Sequence, residues 1–113
     1  MKQYTSKEQT AKLIDFGFEK PKFEIETQII SVHGVPQQAA TIIGDYSIGE
    51  LIEMLPRVIE GEHHNSLLAI DSDNTKWWVM YLYMGKQKYA SKSAELIDAL
   101  FEMIIKLKEE GVI

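Results

Sequence analysis

The segment Trp77-Trp78-Val79-Met80-Tyr81-Leu82-Tyr83-Met84 contains no charged residue. An extended chain points successive side chains to opposite faces, so a strand of this composition is apolar on both. A small antiparallel sheet normally leaves one face to water. This strand therefore has to lie centrally in a sheet or at a contact between subunits. The helix that follows has the same surplus. Glu95, Asp98, Glu102, Lys106 and Glu109 make one narrow polar stripe, and Leu96, Leu100, Met103 and Leu107 form the natural core row. Ile97, Phe101, Ile104 and Ile105 extend the apolar arc beyond what one sheet face can cover. Each such side chain is worth roughly 1.5 to 3 kcal/mol when buried. A second contact surface is therefore expected, from helix 1, helix 2 or another subunit. We expect a homodimer whose surface includes Trp78, Phe101 and Ile105.

At 113 residues the chain is expected to form a single α+β domain over 1–113. A net charge of −5 argues against a general phosphate-backbone binder. The absence of cysteine excludes disulfides, thiol nucleophiles and thiolate metal sites, and fits a reducing cytoplasm. The polar amino terminus and the lack of any long apolar run lead us to expect an unprocessed cytoplasmic chain without membrane contact.

Thr5-Ser6-Lys7-Glu8-Gln9 carries overlapping capping-box signals for a first helix from about 6 to 16, closed by Gly17 with Phe18 folding back. Phe23 to Val32 alternates as an edge strand or extended arm, ended by His33-Gly34-Val35-Pro36; the stretch 37–44 is ambiguous. Ser47-Ile48-Gly49-Glu50 caps a second helix, which Pro56 kinks or restarts as one turn through Val58 and Ile59. Ser66–Ile70 and Trp77–Tyr83 form a hairpin across the turn Asp71-Ser72-Asp73-Asn74-Thr75. Gly85 to Ala90 is a polar connection, and Ser91 or Ser93 caps a last helix that runs to about Glu110 and closes at Gly111. The expected fold is a small, mainly antiparallel sheet of about three strands against about three helices, in the order α-β-α-β-β-α.

Chemistry-bearing patterns are sparse. His63-His64 with Glu60, Glu62 and distant His33 offers metal-ligand types, but adjacent residues of a regular element cannot both turn to one ion, so a solvated loop is expected. Asp71-Ser72-Asp73-Asn74 lacks the glycine and closing glutamate of a calcium loop. The serines sit at caps and turns, and the Gly44–Gly49 stretch lacks the lysine of a phosphate loop. No catalytic residue, cofactor or metal is assigned, and the chain is not expected to be an enzyme. One asymmetry stands out: no acidic residue occurs between Asp73 and Glu95, while lysines interleave with aromatics there. Trp77, Tyr83, Lys86, Lys88 and Tyr89 are accordingly the candidate surface for nucleic acid or another anionic ligand, against solvated loop charge as the alternative.

Thr5-Ser6-Lys7-Glu8-Gln9 leading to Leu13-Ile14-Asp15-Phe16-Gly17, then Tyr46-Ser47-Ile48-Gly49-Glu50-Leu51-Ile52-Glu53-Met54-Leu55-Pro56, Trp78-Val79-Met80-Tyr81, and Glu95 to Ile104 through Leu107 to Gly111, occur in an order that resembles a family of small uncharacterised proteins from gut anaerobic bacteria and their phages. The likeness leaves out roughly residues 19–44, and Lys106 stands where that family often has tryptophan. It implies a phage or prophage setting and an accessory, protein-interaction role, and it brings no activity with it. The expected function is a non-enzymatic, self-associating interaction protein with an unknown protein partner; the alternative is the anionic-ligand module of segment 76–92.

Overall fold

Helix α3 (Leu96–Glu109) sits at the centre of the fold because it is apolar nearly all round: Leu96, Ile97, Ala99, Leu100, Met103, Ile104, Ile105 and Leu107 are all buried. The computed structural model describes residues 1–21, 28–32, 34–39 and 45–113, with 28–32 and 35–39 described by backbone alone. Its elements are α1 (Lys7–Asp15), β1 (Gln28–Val32), β2 (Val35–Ala39), α2 (Ile48–Met54), β3 (Val58–Glu60), β4 (Asn65–Ser72), β5 (Trp77–Tyr83), β6 (Lys86–Ser93) and α3. The fold is α+β, with a four-stranded antiparallel meander β3-β4-β5-β6 rather than about three strands. One face of β5 and β6 packs on α3, α2 packs on the other side of α3, and Leu13 of α1 joins the same core. The second surface that α3 requires thus comes from its own chain.

The caps explain where the helices begin and end. Ser6 accepts from the Gln9 N–H while the Gln9 side chain accepts from the Ser6 N–H, and Ser47 and Glu50 repeat the reciprocal pair on α2. Gly17 (φ +96°) and Gly111 (φ +74°) end α1 and α3 in Schellman geometry: Phe18 N–H donates to Leu13 O and Val112 N–H to Leu107 O. The expected serine cap of α3 is absent. Ser91 belongs to β6 and its hydroxyl donates to Ala99 O, while Ser93 accepts from the Glu95 N–H just ahead of the helix.

Two strands depart from the sequence expectation. Pro56 drives Leu55 into extended geometry (ψ 131°), so Val58 and Ile59 continue as β3, paired with Leu67 and Ser66, and form no helical turn. The expected polar connection 85–90 is mostly strand. Met84 (φ 46°) and Gly85 (φ 76°) make a two-residue turn of the kind that suits a right-twisted hairpin, and β6 pairs with β5 from Lys86 to Ser93. A bulge between Tyr81 and Leu82 leaves Lys88 as the extra residue. The polar character of β6 follows from its position at the sheet edge, where lysines discourage pairing with other chains.

The arm expected over Phe23–Val32 is the ribbon β1–β2, with Phe23 to Thr27 outside the described residues. The expected end at His33-Gly34-Val35-Pro36 does not hold for Val35 and Pro36, which pair back onto β1: Val32 faces Val35, and Gly34 takes φ +76°, with His33 outside the described residues. Ser31 faces Pro36 at the next position, which in a two-residue hairpin is a non-hydrogen-bonded pair, so the missing proline N–H breaks no rung. The chain measures 68 × 33 × 18 Å.

A buried polar chain joins the amino-terminal segment to the approach of α2. The Tyr46 N–H donates to Thr5 Oγ1 (3.0 Å), the Thr5 hydroxyl lies 2.7 Å from that of Thr10, and Thr10 donates to Asp45 Oδ1 (2.7 Å). Because the carboxylate can only accept, the direction of the whole chain is fixed. Burial would raise the Asp98 carboxyl, but hydrogen bonds from Gln9 and Lys2, with the Lys2 charge, outweigh it and hold the group below its ordinary value. Tyr81 is buried and donates to Pro56 O (2.6 Å); burial pushes its phenol up to about 12.

Two outcomes follow. Thr10→Val breaks the polar chain in its middle and costs about 1–3 kcal/mol in urea unfolding, whereas Thr10→Ser keeps most of the stability; equal losses would contradict the assignment. The folded-state phenol of Tyr81 titrates above its unfolded value, so its contribution is complete below pH 10 and lost as pH rises toward 12. The stability of the wild type relative to Tyr81→Phe should fall by about 2–3 kcal/mol across that interval. A difference that stays flat would refute the assignment.

Candidate functional site

The residues singled out by sequence fall into separate places. Trp77 and Tyr83 stand at opposite ends of β5, about 20 Å apart at the rise of an extended chain. Trp77 and Tyr89 pack against the core, while Lys86 and Lys88 are exposed at the β5–β6 turn beside Tyr83. The segment 76–92 is therefore not one aromatic and cationic surface. His64 stacks on Tyr83, with ring centroids 3.9 Å apart and an interplanar angle of 18°. His63 is exposed, and His33 lies outside the described residues. Among the described residues no three histidine, aspartate or glutamate side chains are grouped to hold a metal ion. Asp71–Thr75 is a turn: Asp73 accepts from the Thr75 and Lys76 N–H groups, both at 2.7 Å, and from the Thr75 hydroxyl at 2.9 Å. These bonds hold its carboxyl down at about 2.

The three residues expected at a dimer surface are also divided. Ile105 is 8% exposed and belongs to the core, and Phe101 packs against that core from the helix layer. Trp78 lies on the other face of the sheet. Strand alternation sends Val79 and Tyr81 to the core and Trp78, Met80 and Leu82 outward, where they are half-buried without packing on the core.

Register builds this outward face row by row. Val58, Leu67, Leu82 and Gln87 form one row; Ala69, Met80 and Ala90 form the next; Asp71, Trp78 and Lys92 form the third. Leu67 is 58% exposed and Val58 41%. Lys92 Nζ lies 5.3 Å from the centre of the Trp78 ring, and the Gln87 amide lies 3.4 Å from Met80 Sδ. Among the described residues every core-forming helix is on the opposite side of the sheet. Among the described residues the face is consequently an apolar strip two to three strands wide, bordered by charge at its Asp71–Trp78–Lys92 end and by Glu60, paired with Asn65, at the other.

The sequence pointed to β5 through its double-sided composition. It gave less notice of Leu67 and Ala69, because Leu67-Leu68-Ala69-Ile70 is apolar without a break and does not declare which side chains face the helices. Val58 was hidden by its expected place in a helical turn.

The sheet's margins differ from its open face. β6 carries Lys86, Lys88 and Lys92, and Lys106 of α3 donates to the Ala90 carbonyl at 2.7 Å. The other edge, β3, is only three residues long. No family model matches the chain, and neither a curated protein nor a solved structure is similar to it.

If Lys86 and Lys88 guard the edge, replacing both with threonine leaves the unfolding free energy within about 0.5 kcal/mol per site and increases concentration-dependent light scattering. Unchanged scattering would remove that role.

Proposed function

We propose that the chain is a non-enzymatic interaction protein of phage or prophage type that works by docking the open face of its four-stranded sheet against another protein surface. The observation that carries this reading is the apolar strip of Val58, Leu67, Ala69, Met80, Leu82 and Ala90, extended by Trp78, on which no helix among the described residues packs. Contiguous apolar area on one side of a small sheet is characteristic of interaction sites. The resemblance to phage-associated proteins of gut bacteria supports the setting. Among the described residues no helix is long and apolar enough to cross a membrane.

Site-specific photo-crosslinking tests the reading. A benzophenone side chain in place of Leu67 is compared with one in place of Glu8, which is exposed on α1. Because Leu67 carries no core packing, the substituted protein keeps its unfolding free energy within about 0.5 kcal/mol. In cells that naturally carry the gene, protein adducts concentrate at position 67. Equal yields at both positions, or none at 67, would reject the sheet face as the working surface.

A further inference from the structure

The charge pattern around the open face names what covers it. We infer that the occupant is a second copy of this chain, related by a two-fold axis running along β5; this rests on the docking reading above. Two in-plane axes keep the strands of a pair of such sheets roughly aligned, one along the central strand and one across it. The row Asp71–Trp78–Lys92 distinguishes them, because Asp71 and Lys92 lie on opposite sides of β5. Among the described residues neither makes an ion pair within its own chain: Asp71 accepts only from the neighbouring Ser72 N–H, and Lys92 lies over the Trp78 ring.

An axis along β5 lays β4 of one protomer over β6 of its partner. Asp71 then faces the partner's Lys92 and Lys92 faces the partner's Asp71. The small side chains Ala69 and Ala90 oppose one another, and Trp78, Met80 and Leu82 meet their own copies on the axis. An axis across β5 sets Asp71 on the partner's Leu67 and Lys92 on the partner's Gln87, leaving two charges desolvated without partners. The margins add to the choice. Glu60, Asp71 and Asp73 lie toward the β3–β4 side, and Lys86, Lys88 and Lys92 lie on β6. The β5 axis places the acidic margin of each copy toward the basic margin of the other, which fixes register and excludes the alternative arrangement.

The size of the face sets the strength. An axis along β5 overlaps β4, β5 and β6, which are 8, 7 and 8 residues long; at ~4.8 Å between strands and ~3.3 Å per residue they give a footprint on the order of 350 Å² per protomer. That is below the roughly 800 Å² per partner of a standard stable interface, so the dimer is a weak one that populates with rising concentration.

Sedimentation equilibrium of the purified protein from 1 to 200 µM tests this, with folding checked by circular dichroism. The wild type is expected to dimerise and Met80→Glu to abolish the dimer. Asp71→Lys and Lys92→Asp each set two like-charge pairs across the axis and weaken the dimer by about tenfold or more. The double exchange Asp71→Lys/Lys92→Asp restores it to within about threefold, because both pairs return with reversed sense. A dimer lost in Met80→Glu but not recovered by the double exchange would overturn the two-fold along β5 while leaving the docking face intact. A protein monomeric at 200 µM that still crosslinks to other proteins from position 67 would overturn the second copy alone. A dimer indifferent to Met80→Glu would overturn both readings.

Discussion

Burying α3 on nearly every side is the requirement from which the arrangement of the other elements follows. A helix packed on a sheet hides one arc of its surface, and α3 carries eight buried residues distributed well beyond one arc. The sheet supplies Val79 and Tyr81 on one side, and the short helices α1 and α2 supply Leu13, Leu51 and Leu55 on the other. Neither short helix would be stable alone at nine and seven residues. Each is instead fixed by a reciprocal capping box and by the apolar surface of α3. The buried Thr5–Thr10–Asp45 chain then joins the two helix starts, so the layer over α3 behaves as one unit.

This requirement also decides which surface is left over. The helices of the described residues are all spent on one side of the sheet, and the other side of a strand that is apolar on both faces receives no helix from them. The surplus of apolar surface in the carboxy-terminal half was real, but it divides unequally. On the helix it is satisfied within the molecule, as Ile105 shows; on the sheet it is not, as Leu67 and Val58 show. Counting apolar residues along a helix therefore overstates its need for a partner whenever other helices of the chain are short, amphipathic and free to dock.

The parts of the fold that could be read from the sequence are those written in local chemistry. Both capping boxes, both glycine terminators and the Asp73 turn follow from side chain to backbone bonds over a few residues, and they stand where the residues predicted them. The strands β3 and β6 escaped for a common reason. Edge strands need only one apolar flank and tolerate lysine, so Lys86-Gln87-Lys88 resembles a loop and Val58-Ile59 resembles the end of a helix until pairing partners are known. The site was legible in one strand only. The open face is assembled by register across four strands, and register depends on a turn at Met84-Gly85 and a bulge at Tyr81/Leu82 that no local pattern announces.

An exposed sheet can recruit another chain at its edge or on its face, and the two have different consequences. Edge addition leaves a new edge each time and propagates; a face used by a two-fold related copy is consumed once and closes. Here both edges are defended, β3 by its brevity and β6 by three lysines and by the Lys106 ammonium on the Ala90 carbonyl, while the face keeps leucine, methionine and tryptophan. In the proposed dimer lysine at β6 serves twice: it discourages strand addition beside the sheet, and through Lys92 it supplies the charge that selects how a second sheet lies on top. Because none of the face residues packs on the core, the strength of that contact can change by substitution at Leu67, Met80 or Leu82 without loosening the layer around α3. On that proposal folding and association fall to different residues of the same strand, Val79 and Tyr81 for one and Trp78, Met80 and Leu82 for the other.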